Sequence, residues 1–312
     1  MSPLFQTAVR LVAHAGRLVL AAVFLTAGVV KSLDPEGFGR EVAQYGLIGG
    51  SMAQAAAYVI IPVEIALGVA LALAWRPRLT FAVTAAMLVM FMGAIGFALA
   101  TDQPLEGCGC FGRAIPRTPQ QTLAEDALFL ALAVLGWVAL GGGAKVRPGL
   151  ARRTWKAAAV MASAVVSGAF ALASPHLPID DAVTELKPGI VWNDLGVALA
   201  EEDLGRGTHL VALLGMKDEK SLGTFEELNR MSAAGQSVIG LYGEDEAAYH
   251  EVLWTRAPAF PLYNVSPSDM RRLHRRLPRF FAVTQGRVAA TWDRPPTAES
   301  LRAAVAGVSE AS

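Results

Sequence analysis

Apolar residues dominate the first 173 positions and gather into five long runs, 11–30, 53–75, 79–100, 122–140 and 157–173, with short polar breaks between them. Most reach or approach the roughly 20 residues a helix needs to cross a hydrocarbon core about 30 Å thick. The run 79–100 carries no charge at all. Five membrane crossings are therefore predicted. The first run reads as a retained span rather than a cleaved leader, because it is long, carries His14 and Arg17, and is followed by further spans. From Asp180 onward the charges become dense and the periodicity changes. A Pro- and Asp-punctuated linker over 174–189 leads into alternating patterns: strand 209–215, helix 222–234, strand 237–243 and helix 245–254. A strand over 259–265, a short helix over 267–275, a hairpin in 279–292 turning at Gln285-Gly286, and a closing helix over 297–306 complete the order. That succession implies a βαβ unit in an α/β domain.

Composition agrees with the pattern. The 312 residues are 53% hydrophobic and 17% charged, with a mean hydropathy of +0.40. That is too apolar for an ordinary soluble enzyme and long enough for two units. The net charge is +0 and no basic run interleaves with aromatics, so no nucleic-acid partner is expected. Lys and Arg are distributed asymmetrically. Arg10, Arg76, Arg78, Lys145, Arg147, Arg152, Arg153 and Lys156 fall in alternate breaks, against Lys31, Arg40, Arg113 and Arg117 in the others. Positive loops resist translocation. The chain is thus expected to be a multi-pass protein of a bacterial inner membrane, with its N-terminus cytoplasmic. Segments 31–52, 101–121 and the C-terminal domain then share the periplasmic side, and the lipid bilayer is the first partner.

The chain has two cysteines, Cys108 and Cys110, in Gly107-Cys-Gly-Cys-Phe-Gly112 on an outward loop. Glycines between and beside them permit the tight bend a Cys-x-Cys disulfide requires. So small a ring is expected to be strained, and strain makes a disulfide readily exchanged. Three readings stay open: redox work, a disulfide that pins the loop, and half a metal site. Closing so short a loop removes little unfolded-state entropy, and zinc would need ligands not present nearby. His209, His250 and His274 lie too far apart in the pattern to make a metal site, and no serine sits in a Gly-x-Ser-x-Gly context.

The first part of the chain, to about residue 145, resembles the MauE/DoxX-like family of redox-associated membrane proteins. The residues carrying the resemblance are Arg17-Leu18, Gly28 to Lys31, Asp34-Pro35, Phe38, Tyr45-Gly46, Pro62, Glu64, Gly68 and the Cys108–Gly112 motif. The resemblance implies a four-helix bundle over 1–145 and a part in maturing disulfide-rich periplasmic enzymes. The chain departs from the family at Glu125-Asp126, where a basic residue is expected. Glu64 lies about midway along its span, where a carboxylate costs several kcal/mol unless paired or protonated. It is expected to face the bundle interior, with Lys31 or Arg17 as partner and Asp126 nearby. It then serves either as a packing ion pair or as a proton relay or small-molecule pocket beneath the cysteines.

Residues 184–312, reached through a fifth span and linker over 146–183, look like the thioredoxin fold. The resemblance rests on element order and on Leu277-Pro278 placed before the hairpin, where that family carries a cis proline. Its redox members place Cys-x-x-Cys where this chain has Asp218-Glu219-Lys220-Ser221. These residues are either a docking groove with Leu277 and Pro278, or solvated residues suited to a helix start. The expected activity is a membrane-anchored thiol–disulfide factor acting through Cys108 and Cys110. Its expected partner is a periplasmic client protein or a partner dithiol oxidoreductase. The alternative is a non-catalytic assembly scaffold. No quinone, flavin or haem motif is visible, so a quinone is possible as acceptor without support from a motif, and no other cofactor is expected.

Overall fold

A computed structural model of the chain describes residues 3–103, 105, 118–141, 150–197, 199, 204–243 and 246–309. They fall into two compact units, Met1–Leu177 and Pro178–Ser312.

The first unit is helical: α1 (Pro3–Leu33), α2 (Pro35–Gln44), α3 (Gly50–Ala72), α4 (Pro77–Ala100), α5 (Pro119–Gly141) and α6 (Leu150–Ala173). Among the described residues five helices are long and apolar enough to cross a membrane; α2 is the exception. It is short and amphipathic, starting where Asp34 accepts from the Gly37 backbone N–H at 2.9 Å and Pro35 takes the first helical position. α1 packs against α3 and α5, α4 packs against α5, and α6 lies chiefly on α3. Leu20, Phe24, Leu67, Leu71, Phe81 and Leu88 form the common core. Val59, Val83, Met90, Trp137 and Val165 are exposed on the same helices. A soluble protein does not leave so many large apolar side chains in water, whereas lipid solvates them.

The second unit carries a mixed five-stranded sheet in the order β3-β2-β1-β4-β5. The strands are β1 (Thr208–Leu213), β2 (Val238–Tyr242), β3 (Leu262–Asn264), β4 (Arg279–Thr284) and β5 (Arg287–Trp292). β1, β2 and β3 run parallel, with Leu210 opposite Val238, and β4 and β5 join antiparallel, with Val211 opposite Phe281. Alternation along the strands divides the apolar side chains between two faces. Val211, Leu213, Ile239 and Phe281 lie on one, and Leu210, Ala212, Val238 and Phe280 on the other. Gln285 and Gly286 close the hairpin with φ of 47° and 77°, the positive pair that a two-residue turn of matching twist requires. Helices α7 (Asp180–Val183), α8 (Glu219–Leu222), α9 (Phe225–Ala233), α10 (Glu246–Arg256), α11 (Pro267–Leu273) and α12 (Ala298–Ser309) complete the unit.

Two expectations need correction. The helix read over 222–234 is α9, shorter by three residues at its start, and a separate single turn, α8, precedes it over 219–222. The segment read as a linker over 174–189 is largely structured. Ser174–His176 forms a 3-10 turn, and from Pro178 the chain belongs to the second unit, where arginines hold Asp180 and Asp181.

Candidate functional site

α1 and α3 approach closely because glycines face the contact. A Cβ on Gly28 would stand 2.5 Å from Ile65 Cγ1, and one on Gly68 would stand 3.0 Å from the Leu25 backbone N. This closeness brings Lys31, near the end of α1, onto Glu64 of α3. Lys31 Nζ donates to Glu64 Oε1 as a buried ion pair. The side chains are almost sealed, with Lys31 5% and Glu64 1% exposed. Phe38 of α2 and Phe91 of α4 present their ring faces to the ammonium, with centroids 4.7 and 5.1 Å from Nζ. Those faces favour the cation in a site with little water. Glu64 Oε2 has no hydrogen-bond partner among the described residues.

On its other side Lys31 borders a cavity of about 30 Å³, lined also by Phe38, Val42, Tyr45, Phe91, Ile95, Thr122 and Asp126. Asp126 is buried. Lys31 therefore stands between Glu64, inside its span, and the cavity that Asp126 lines towards one end of the bundle. Tyr45 caps α2 there, and Thr122 stands in the first turn of α5. The α4–α5 connection attaches to the same end.

Arg17 is not the partner of Glu64. Its guanidinium donates to the carbonyls of Leu71 and, at 2.8 Å, Ala72. Arg17 stands fourteen residues before Lys31, about 21 Å along the helix, and there it meets the unsatisfied C-terminal carbonyls of α3. Lys156 Nζ supports the same terminus through the Leu73 carbonyl at 2.5 Å. Cys108 and Cys110 lie outside the described residues.

In the second unit, Asp218 caps α8. Its Oδ2 accepts from the Ser221 N–H at 2.9 Å and from Ser221 Oγ at 2.8 Å, while Ser221 Oγ accepts from the Gly215 N–H at 3.0 Å. Ser221 is fully buried. A Cβ on Gly215 would meet Asp218 Cβ at 3.0 Å and Leu277 Cδ1 at 3.3 Å, and the Leu277–Pro278 bond is cis. Asp218, Ser221 and Leu277 thus meet at Gly215. Ser221 uses its hydroxyl inwardly as both donor and acceptor, so it is not a solvated helix-start residue. Among the described residues no group of His, Cys, Asp or Glu is placed to hold a metal ion.

One constellation was not anticipated. Arg279 donates to Thr184 Oγ1 at 2.6 Å, Leu273 O at 2.9 Å, Leu186 O at 3.0 Å and Asp181 Oδ1 at 2.5 Å. Arg275 and Arg276 reach Asp180 at 3.2 and 3.4 Å, and Arg272 reaches Glu185 and Asp269. Burial lowers the Arg279 pKa from its ordinary value, opposed chiefly by the charge of Asp181. The hydrogen bonds it donates to Glu185 raise that of Arg272. The signal was present in the sequence as five arginines within 271–279 and the Asp180-Asp181 pair. This network ties the start of the unit to its sheet and shows no free reactive group.

No curated protein and no solved structure matches the chain. Residues 9–139, which contain Lys31, Glu64, Asp126 and both cysteines, match the family model described as methylamine utilisation protein MauE, so over that segment this multi-pass chain is a MauE-like membrane protein.

Proposed function

We propose that the chain is a membrane-anchored thiol–disulfide factor that helps mature a disulfide-bearing periplasmic client in methylamine utilisation. The observation that carries this reading is where the dithiol falls. Cys108 and Cys110 are the chain's two cysteines, and both stand inside the MauE-matching segment. They belong to the α4–α5 connection, and Ile95 and Thr122, near either end of it, line the Lys31 cavity. In the oxidising direction a client thiolate attacks one sulfur of the Cys108–Cys110 disulfide, breaking that bond and forming a mixed disulfide. A second client thiolate then displaces the cysteine, so the client leaves oxidised and the pair is left reduced by two electrons. Exchange with the disulfide form of a partner oxidoreductase restores it, the partner leaving as the dithiol with the two electrons.

Lys and Arg asymmetry supports a cytoplasmic N-terminus and a periplasmic second unit at a bacterial inner membrane. The second unit's strand order and its cis Leu277–Pro278 beside Asp218 and Ser221 support a thioredoxin-like domain. Having no cysteine, it binds the client or the partner oxidoreductase and does not itself exchange disulfides.

Alkylation of membranes with a maleimide–polyethylene glycol reagent, before and after mild reductant, tests the proposal. Two adducts that appear only after reduction and vanish on reoxidation are expected. An adduct number insensitive to reductant refutes redox cycling. The absence of any other cysteine in the chain favours one rival, a non-catalytic assembly scaffold. Under that reading Cys108→Ser and Cys110→Ser lower only the protein's level, or change nothing.

A further inference from the structure

We propose that Lys31, Glu64 and Asp126 form a proton-binding site within the bundle, reached through the cavity from the end that carries the α4–α5 connection. Its purpose rests on the thiol–disulfide reading, but its existence does not. An ion pair alone would not carry the inference, since a buried pair is often replaceable by apolar residues without loss of stability. The cavity adds what a packing pair has no use for. At about 30 Å³ it has room for a water molecule, and water occupies such a space when polar groups line it. Lys31, Tyr45, Thr122 and Asp126 supply those groups.

Lys31 stands between the two carboxylates. It donates to Glu64 and borders the same cavity as Asp126, so Glu64, ammonium, water and Asp126 form one chain from α3 to α5. The rings of Phe38 and Phe91 hold the ammonium in place. Among the described residues, the titratable groups facing the cavity or its ion pair are Lys31 on α1, Tyr45 at the end of α2, Glu64 on α3 and Asp126 on α5. α4 contributes only Phe91 and Ile95. When a cysteine thiol ionises for exchange its S–H bond breaks, and the proton passes through water to the Asp126 carboxylate, forming an O–H bond. The reverse transfer returns it.

The test uses the full-length protein in phospholipid vesicles with dicyclohexylcarbodiimide, which modifies protonated carboxyl groups in apolar surroundings, followed by peptide mass spectrometry. Asp126 is expected to be modified faster as pH falls, by about tenfold per unit, the slope of a single carboxyl above its titration midpoint. Thr122→Leu, which fills the cavity, is expected to slow that modification at least several-fold, and Thr122→Ile serves if Thr122→Leu does not accumulate. Lys31→Met is expected to bring Glu64 into reaction. The Cys108→Ser/Cys110→Ser chain should be modified like the parent, which separates this site from the thiol reading: cysteines that cycle beside unreactive carboxyls overturn the site alone. The proposal is overturned if Asp126 and Glu64 stay unmodified at every pH while the SDS-unfolded chain reacts. A rate independent of pH, or unaffected by filling the cavity, overturns it equally.

Discussion

Substituting Lys31 and Glu64 one at a time should destabilise the bundle with opposite dependences on pH. In Lys31→Met the Glu64 carboxyl, 1% exposed, loses the one hydrogen-bond donor it has among the described residues. It must then fold protonated. Holding a carboxyl of ordinary pKa near 4.3 neutral at pH 7 costs about 3.7 kcal/mol. In Glu64→Gln the buried ammonium must instead fold neutral, at about 4.6 kcal/mol for a lysine of ordinary pKa near 10.4. If it stays charged, it relies on Phe38 and Phe91, each worth roughly 0.5–2 kcal/mol. The signs follow from proton counting. Folded Lys31→Met holds a proton that its unfolded chain releases at neutral pH, so its deficit shrinks as pH falls, by about 1.4 kcal/mol per unit. Folded Glu64→Gln lacks a proton that its unfolded chain holds, so its deficit shrinks as pH rises. Lys31→Met/Glu64→Leu, with neither charge, should lie within about 1 kcal/mol of the parent. SDS unfolding of the full chain in micelles, followed by circular dichroism at several pH values, measures all three. Equal, additive losses without a pH slope would refute the reasoning.

Other consequences can be measured separately. Arg279→Met removes the guanidinium donor from the Leu186 and Leu273 carbonyls, Thr184 and the half-exposed Asp181, which keeps Thr291 as a donor. It should cost the second unit about 1–3 kcal/mol, read as faster proteolysis of residues 178–312 within the intact chain. Gly68→Val places its Cβ 2.7 Å from Leu25 Cγ and should cost the bundle about 1–3 kcal/mol through overpacking, lowering SDS resistance. Gly93→Ala, whose Cβ meets nothing within 4 Å, should be neutral. Burial raises the Tyr242 pKa above its model-compound value of 10.0, with Tyr249 adding to the effect. Its contribution is therefore complete below that value and lost as pH rises beyond it, and Tyr242→Phe should unfold at a more alkaline pH than the parent. A reporter fused after Ala173 should be active on the periplasmic side and one after Gly143 on the cytoplasmic side, and the reverse result would refute the assigned orientation.

The spans were legible because membrane helices announce themselves through length and hydropathy, although their ends were not. α1 runs Pro3–Leu33 against an apolar run of 11–30. Its first turns hold Gln6, Thr7 and Arg10 among apolar residues, which continue the helix while interrupting the apolar run. α2 was overlooked although Asp34-Pro35 is an N-cap followed by proline, because an amphipathic ten-residue helix leaves no trace in a search for spans. In the second unit the hairpin at Gln285-Gly286 and the helix start at Asp218 were readable from local turn and capping chemistry. The partner of Glu64 was not readable. Lys31 and Arg17 both lie on α1, and which one arrives depends on how far α1 and α3 interpenetrate at Gly28 and Gly68. The arginine network was equally hidden, since Arg279 and Asp181 are separated by 98 positions and no local pattern joins them.

The Lys31–Glu64 pair also bears on how the protein is made. Translation delivers α1 before α3, so the cation is in the bilayer when the carboxylate emerges. α3 is apolar enough, at a mean hydropathy of 2.1, to enter lipid despite one acidic residue costing about 3 kcal/mol at mid-span. Once inserted, that carboxylate is stranded until α1 docks. Docking relieves the stranding and makes lateral association of the two helices hard to reverse. A nascent chain stripped of its first span would leave Glu64 facing lipid, a state that a membrane quality-control protease can distinguish from the assembled bundle.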